Sequence, residues 1–150
     1  MRGLADLVSL VARLFLAGLF IWASYDKIWD PRSFAWSVGQ YELLPLWAVN
    51  AASVLLAWLE MWVGVLLLVG LFTRPAAAWA TLLLLTFTGV MVYAGFTGAG
   101  FDCGCFPGQE GHAAGFDAAL RDLFFLLPAV WLWIRPGEWL RLDRLFWARD

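Results

Sequence analysis

Residues 47–72 read WAVNAASVLLAWLEMWVGVLLLVGLF, and Glu60 is their only charge. A helix needs ~20 mainly apolar residues to cross a hydrocarbon core, so this stretch predicts a spanning helix. Outward from it the pattern repeats: residues 5–24, 76–96 and 117–134 are similarly long and apolar. The whole chain agrees. Of its 150 residues, 63% are hydrophobic and only 15% charged, and its mean hydropathy is +0.74. An ordinary soluble domain is ~45–50% apolar and ~25% charged. This composition excludes a water-soluble domain and a disordered chain. The formal net charge of −2 gives no basic footprint for nucleic acid.

The fold expected is all-α: an integral-membrane four-helix bundle over residues 1–134, followed by an amphipathic cytoplasmic tail over 135–150. Arg13 interrupts the first apolar run and no A-x-A site follows it, so that run reads as a retained helix rather than a cleaved signal. Pro75 is expected to start the third helix, and Pro128 to bend the fourth. Gly18, Gly64, Gly70 and Gly89 read as helix-packing positions. Many of the eleven tryptophans sit near expected membrane borders. Trp22, Trp29, Trp36 and Trp47 are candidates for an apolar pocket near the outer one.

Two connections are long. In residues 25–46, Phe34, Val38 and Tyr41 recur at helical spacing, which predicts a short helix in the interface. Residues 97–116, TGAGFDCGCFPGQEGHAAGF, are glycine-rich without an apolar period and read as a loop. Lysine and arginine placement sets the orientation. Arg2, Arg13, Arg74, Arg135, Arg141, Arg144 and Arg149 fall on one side, and Lys27, Arg32 and Arg121 on the other. The richer side is expected to be cytoplasmic. Both termini then lie inside the cell, in the inner (cytoplasmic) membrane, and the loop faces the periplasm or exterior, where disulfides persist.

The only two cysteines are Cys103 and Cys105, with Gly104 between them. Two thiols one residue apart close a small strained ring, and such a bond tends to be labile or catalytic. It closes almost no chain, so a structural staple gains little entropy. Metal binding is the competing reading. Cys103, Cys105 and His112 with Asp102 or Glu110 could serve copper(I), but fall short of a closed zinc set. Arg121 and Asp122, early in the fourth helix, and Asp26 with Lys27, at the end of the first, are expected to gather beneath the loop, where a cation favours thiolate.

Arg13 and Glu60 are the charges expected inside the membrane. Counted from the inner ends of their helices they lie at ~13 Å and ~18 Å. A structural ion pair between them is the favoured reading, and a proton or substrate path the alternative.

The chain resembles the MauE branch, named for methylamine utilisation, of the DoxX-like four-helix membrane proteins. The likeness rests on Arg13, Gly18, Phe20 and Lys27-Ile28, then Tyr41-Glu42-Leu43-Leu44-Pro45, then Glu60 with Gly64. Gly70-Leu71-Phe72-Thr73-Arg74, Cys103-Gly104-Cys105-Phe106 and Arg121-Asp122 complete it. Pro107 departs from the glycine usual there. The resemblance implies a four-helix bundle working with an extracytoplasmic thioredoxin-like protein in disulfide formation.

Together these readings give a membrane thiol–disulfide redox protein in which Cys103 and Cys105 cycle between dithiol and disulfide, with Arg121 and Asp122 beside them. No thiol lies within a spanning helix or on the inner side. The chain therefore needs a membrane electron carrier such as a quinone, or it exchanges electrons on one face only. The alternative is a membrane metal-binding or assembly factor using the same loop as ligand.

Overall fold

Where helices stop decides how this chain folds. In the computed structural model, which describes residues 2–98 and 115–137, the elements are α1 (Arg2–Trp29), α2 (Pro31–Gln40), α3 (Leu46–Val69), α4 (Thr73–Thr97) and α5 (Phe116–Ile134). The four long apolar stretches are helical, and the first connection contains the short helix its spacing predicts. Asp30 separates α1 from α2. Its carboxylate accepts from the Ser33 backbone N–H at 3.2 Å, and Pro31 follows at the first helical position.

Three boundaries differ from hydropathy. α3 ends at Val69 because Gly70 takes a left-handed conformation (φ 72°) and donates to the Leu66 carbonyl. Leu71 and Phe72 are apolar but already belong to the turn. α4 then begins at Thr73, so Pro75 sits within its first turn, where the missing N–H costs nothing. α1 runs on to Trp29, past the charged Asp26 and Lys27. α5 continues as helix through Pro128.

Side-chain pairs set the packing. Trp131 Nε1 donates to Ser9 Oγ at 3.1 Å, and Ser9 Oγ donates to the Arg135 carbonyl at 2.9 Å, so the start of α1 meets the end of α5. Arg74 Nε donates to the Trp133 carbonyl, while Phe116 at the other end of α5 meets the Phe96 ring edge-on at 5.3 Å. α4 and α5 are therefore antiparallel. α1 and α3 are antiparallel too, with Ser24 against Met61 and Ile21 against Gly64. Gly39 of α2 packs on Val49, eleven residues from Glu60 along α3. The twelve residues from Lys27 to Gly39 cover the same distance only if α2 carries on in roughly the direction of α1. The segment after α1 thus lines α3 instead of lying across the bundle end.

The core holds Leu16, Ala17, Leu67, Ala77, Ala80, Leu84, Ala129 and Leu132. So many alanines let the helices approach closely, the usual basis of packing where lipid removes a hydrophobic drive. The outward faces carry Leu55, Trp62, Leu82, Phe96, Phe124 and Leu127. α1, α3 and α4 are long and apolar enough to cross a membrane.

Of the glycines expected at packing contacts, Gly64 meets a neighbouring helix closely. A Cβ there would lie 2.8 Å from Ile21 Cγ1, 3.0 Å from Ile21 N and 3.2 Å from the Ala17 carbonyl oxygen. Gly18 and Gly89 face open space, and Gly70 serves as a cap. Gly64→Val is expected to push α1 off α3 and cost about 1–3 kcal/mol. Thermal unfolding in detergent checks this, and an unchanged midpoint would contradict the close crossing.

Candidate functional site: a buried charge cluster between four helices

Glu60 lies near the middle of α3 and is 1% exposed. An ionised carboxylate so placed requires a partner, and the partner is Lys27. Its Nζ donates to Oε2 at 2.7 Å and to Oε1 at 2.9 Å. This corrects the pair expected from sequence, Arg13 with Glu60. Counting depth from helix ends misaligned α1, whose start reaches beyond the C-terminal end of α3. The crossing at Gly64 sets the true register: one turn earlier in α3 Glu60 faces the Ser24–Lys27 turn, and one turn earlier in α1 than Ala17 lies Arg13. Arg13 is buried as well, one turn beyond the Gly64 crossing from Glu60.

Aromatic rings enclose the ammonium. Lys27 Nζ lies 5.0 Å from the Phe34 ring centroid and 5.2 Å from that of Phe87. Both distances are within cation–π range, worth ~2 kcal/mol or more when desolvated. α2 thus covers Lys27 from one side and α4 from another.

α5 contributes Asp122, buried to 2% exposure. Its Oδ1 accepts from Arg121 Nε at 3.4 Å and Nη2 at 3.3 Å. Lys27, Glu60 and Asp122 line one small cavity with Leu19, Phe20, Ala23, Leu84 and Phe87. Of the charges expected beneath the loop, Lys27 and Asp122 line this cavity and Arg121 pairs with Asp122, while Asp26 is exposed; the loop itself lies outside the described residues. Sequence reasoning missed Lys27 as the partner of Glu60, and Phe34 and Phe87 as its walls. The available signal was the i, i+3 spacing of Ser24 and Lys27, which puts both on one face of an α1 extended by a turn.

Cys103, Cys105 and His112 lie outside the described residues, as does the tail from residue 138. Their flanks are described. Gly98 caps α4 and Gly115 precedes α5, and the Phe116 ring lies on Gly95. The two ends of the cysteine-bearing connection are therefore neighbours at one end of the bundle.

The family model described as methylamine utilisation protein MauE matches residues 5–135, which include every residue of this cluster. The chain belongs to the MauE family. A MauE relative, the methylamine utilization protein MauE of Paracoccus denitrificans, is 32% identical over 126 residues, covering 83% of this chain and 67% of the relative. No solved structure matches.

A quinone does not fit the cavity of this MauE-family chain. The space open to the centre of a water molecule is about 20 Å³, far below a substituted six-membered ring. The tryptophans expected to line a pocket, Trp22, Trp29, Trp36 and Trp47, are instead 57–85% exposed on the outer surface. Sequence position near a membrane border did not distinguish a ring facing inward from one facing lipid.

Proposed function

We propose that this chain is a membrane thiol–disulfide redox protein acting in methylamine utilisation, with Cys103 and Cys105 as its exchanging pair. α5, 19 residues long or ~28 Å, is the fourth crossing. Arg13 and Lys27 are buried and do not count toward orientation. Arg2, Arg74, Arg135 and the tail arginines then outweigh Arg32 and Arg121, which favours cytoplasmic termini in the inner membrane. The Cys103-Gly104-Cys105 segment accordingly belongs outside, facing the periplasm or exterior.

One observation carries this reading: the only two thiols in the sequence stand one glycine apart, between helix ends that are adjacent at one end of the bundle. In the exchange a thiolate of the reduced member attacks a sulfur of the partner's disulfide, forms a mixed disulfide and releases a thiolate; the second thiol then resolves the mixed bond. Two electrons and two protons change hands, and one disulfide is made as the other is reduced. An extracytoplasmic thioredoxin-like protein, whose own pair of thiols undergoes the same chemistry, is the partner. No step passes through a quinone. Arg121, on the second turn of α5, is the described cation that follows the loop most closely in sequence, and a cation beside a thiol raises the thiolate fraction.

The test replaces one cysteine at a time. Cys103→Ser or Cys105→Ser is expected to trap a mixed disulfide with the partner, seen as a higher-mass band lost on reduction. If neither variant traps a partner, and the native chain instead copurifies with stoichiometric copper or zinc that the double variant lacks, the loop is a metal ligand and this reading fails.

A further inference from the structure

The bundle is taller than the hydrocarbon core it crosses. Arg74 is exposed at the start of α4, and a cation there marks the border at the end away from the cysteines. Phe87, thirteen residues further along α4, stands ~20 Å above Arg74, and its ring centroid lies 5.2 Å from Lys27 Nζ. Lys27 meets Glu60, and Leu46 precedes Glu60 by fourteen residues, so the start of α3 rises ~21 Å more. A core of ~30 Å measured from Arg74 therefore ends ~10 Å short of Leu46. The usual helix tilt of ~20° takes only ~2 Å from that height. Exposed charges set the border at the same level. Asp26, Asp30 and Arg32 are all exposed, lie within ~8 Å of Lys27 along the chain, and need water or headgroups beside them.

The part that stands clear of the core is the end that bears the cysteine connection. Tyr41, at the end of α2, packs with Met91, Ala94 and Ala119, and its hydroxyl lies 4.0 Å from Met91 Sδ. The turn between α2 and α3 is thereby tied to the ends of α4 and α5. Around this end Leu43, Leu46, Trp47, Phe96 and Phe116 are exposed, Leu46 and Trp47 at 86% and 85%. Lipid tails do not reach ~10 Å past the core, and an exposed apolar patch of this kind marks a protein contact. Cys103 follows Gly98 by five residues, so it lies within ~18 Å of the end of α4. A mixed disulfide brings the Cα atoms of its two cysteines within ~7 Å, which carries the partner's surface to this same end.

We propose that the raised rim of Leu43, Leu46, Trp47, Phe96 and Phe116 docks the thioredoxin-like partner, through an apolar surface bordering the partner's own cysteine pair. The inference rests on the redox reading above and adds the surface that recognises the partner. Leu46 and Trp47 act in docking and take no part in the exchange itself.

Two measurements test it, the first on the chain purified into lipid vesicles. In a Cys103→Ser/Cys105→Ser background, Leu46→Cys is expected to react with a water-soluble maleimide, whereas Trp62→Cys, exposed on α3 beyond Glu60, is expected to resist it. A Leu46→Cys thiol that also resists the reagent puts the rim in lipid and overturns the proposal. The second measurement is the rate of exchange as the concentration of the thioredoxin-like partner is varied. Leu46→Gln/Trp47→Gln is expected to raise the KM for the partner about tenfold or more, with the native rate regained once the partner saturates. An unaltered KM overturns the inference. So does an equal loss toward a small disulfide reagent, which needs no docking, because the damage would then be structural. A native chain that exchanges with no thioredoxin-like protein refutes the redox reading itself, and this inference with it.

Discussion

Glu60→Leu with Lys27 left in place is expected to cost about 3–5 kcal/mol of stability, the usual penalty for stranding one member of a buried ion pair. Lys27→Met with Glu60 left in place is expected to cost a similar amount. The double variant Lys27→Met/Glu60→Leu is expected to recover most of it, since a well-packed apolar replacement of a buried pair is often neutral or stabilising. The argument rests on the 2.7 and 2.9 Å contacts and on exposures of 4% and 1% for the two side chains. At those exposures neither charge reaches solvent when its partner goes. Heat-induced unfolding in detergent, run on all four chains, measures the coupling directly. If the single losses simply add in the double variant, the two residues do not interact as described. Should the double variant be stable yet inactive in thiol exchange, the pair serves function rather than folding.

The second large effect concerns the cysteines. Cys103→Ser/Cys105→Ser is expected to reduce dithiol–disulfide exchange with the partner to background while leaving the thermal midpoint of the bundle within error of the native one. A disulfide across one residue closes too short a loop to constrain the unfolded chain appreciably, so its loss should not be felt as instability. A double variant that retains exchange, or one that loses folding instead, contradicts the redox assignment. The assay compares the rate at which a reduced or oxidised thioredoxin-like partner changes state with native and variant chains.

Much of the fold is legible because its strongest signal, long apolar runs broken by Gly70, Pro75 and the glycine-rich connection, is local. The short α2 is legible as well, since Phe34, Val38 and Tyr41 repeat at helical spacing and Asp30-Pro31 marks its start. Register is not local. Glu60 was recognisable as a buried charge from the apolar residues around it, yet its partner depended on where α1 crosses α3, and that is fixed by the absent Cβ of Gly64. Helix ends counted in residues give depth only if helices start level, which α1 and α3 do not. Lys27 was hidden for a related reason. Charge near the end of an apolar run reads as the membrane border, whereas here Glu60, Phe34 and Phe87 enclose the ammonium and let the helix carry it inward. Trp22, Trp29, Trp36 and Trp47 show the converse error: composition marks them as border residues without saying which way each ring faces.

Whether Cys103 and Cys105 are displayed outside the membrane is tested most directly by a membrane-impermeant thiol reagent applied to intact cells after mild reduction. Labelling of both cysteines in unbroken cells, blocked by prior oxidation and absent from the double serine variant, is the result expected. Labelling that appears only after the cells are lysed would put the thiols on the wrong side and contradict the account.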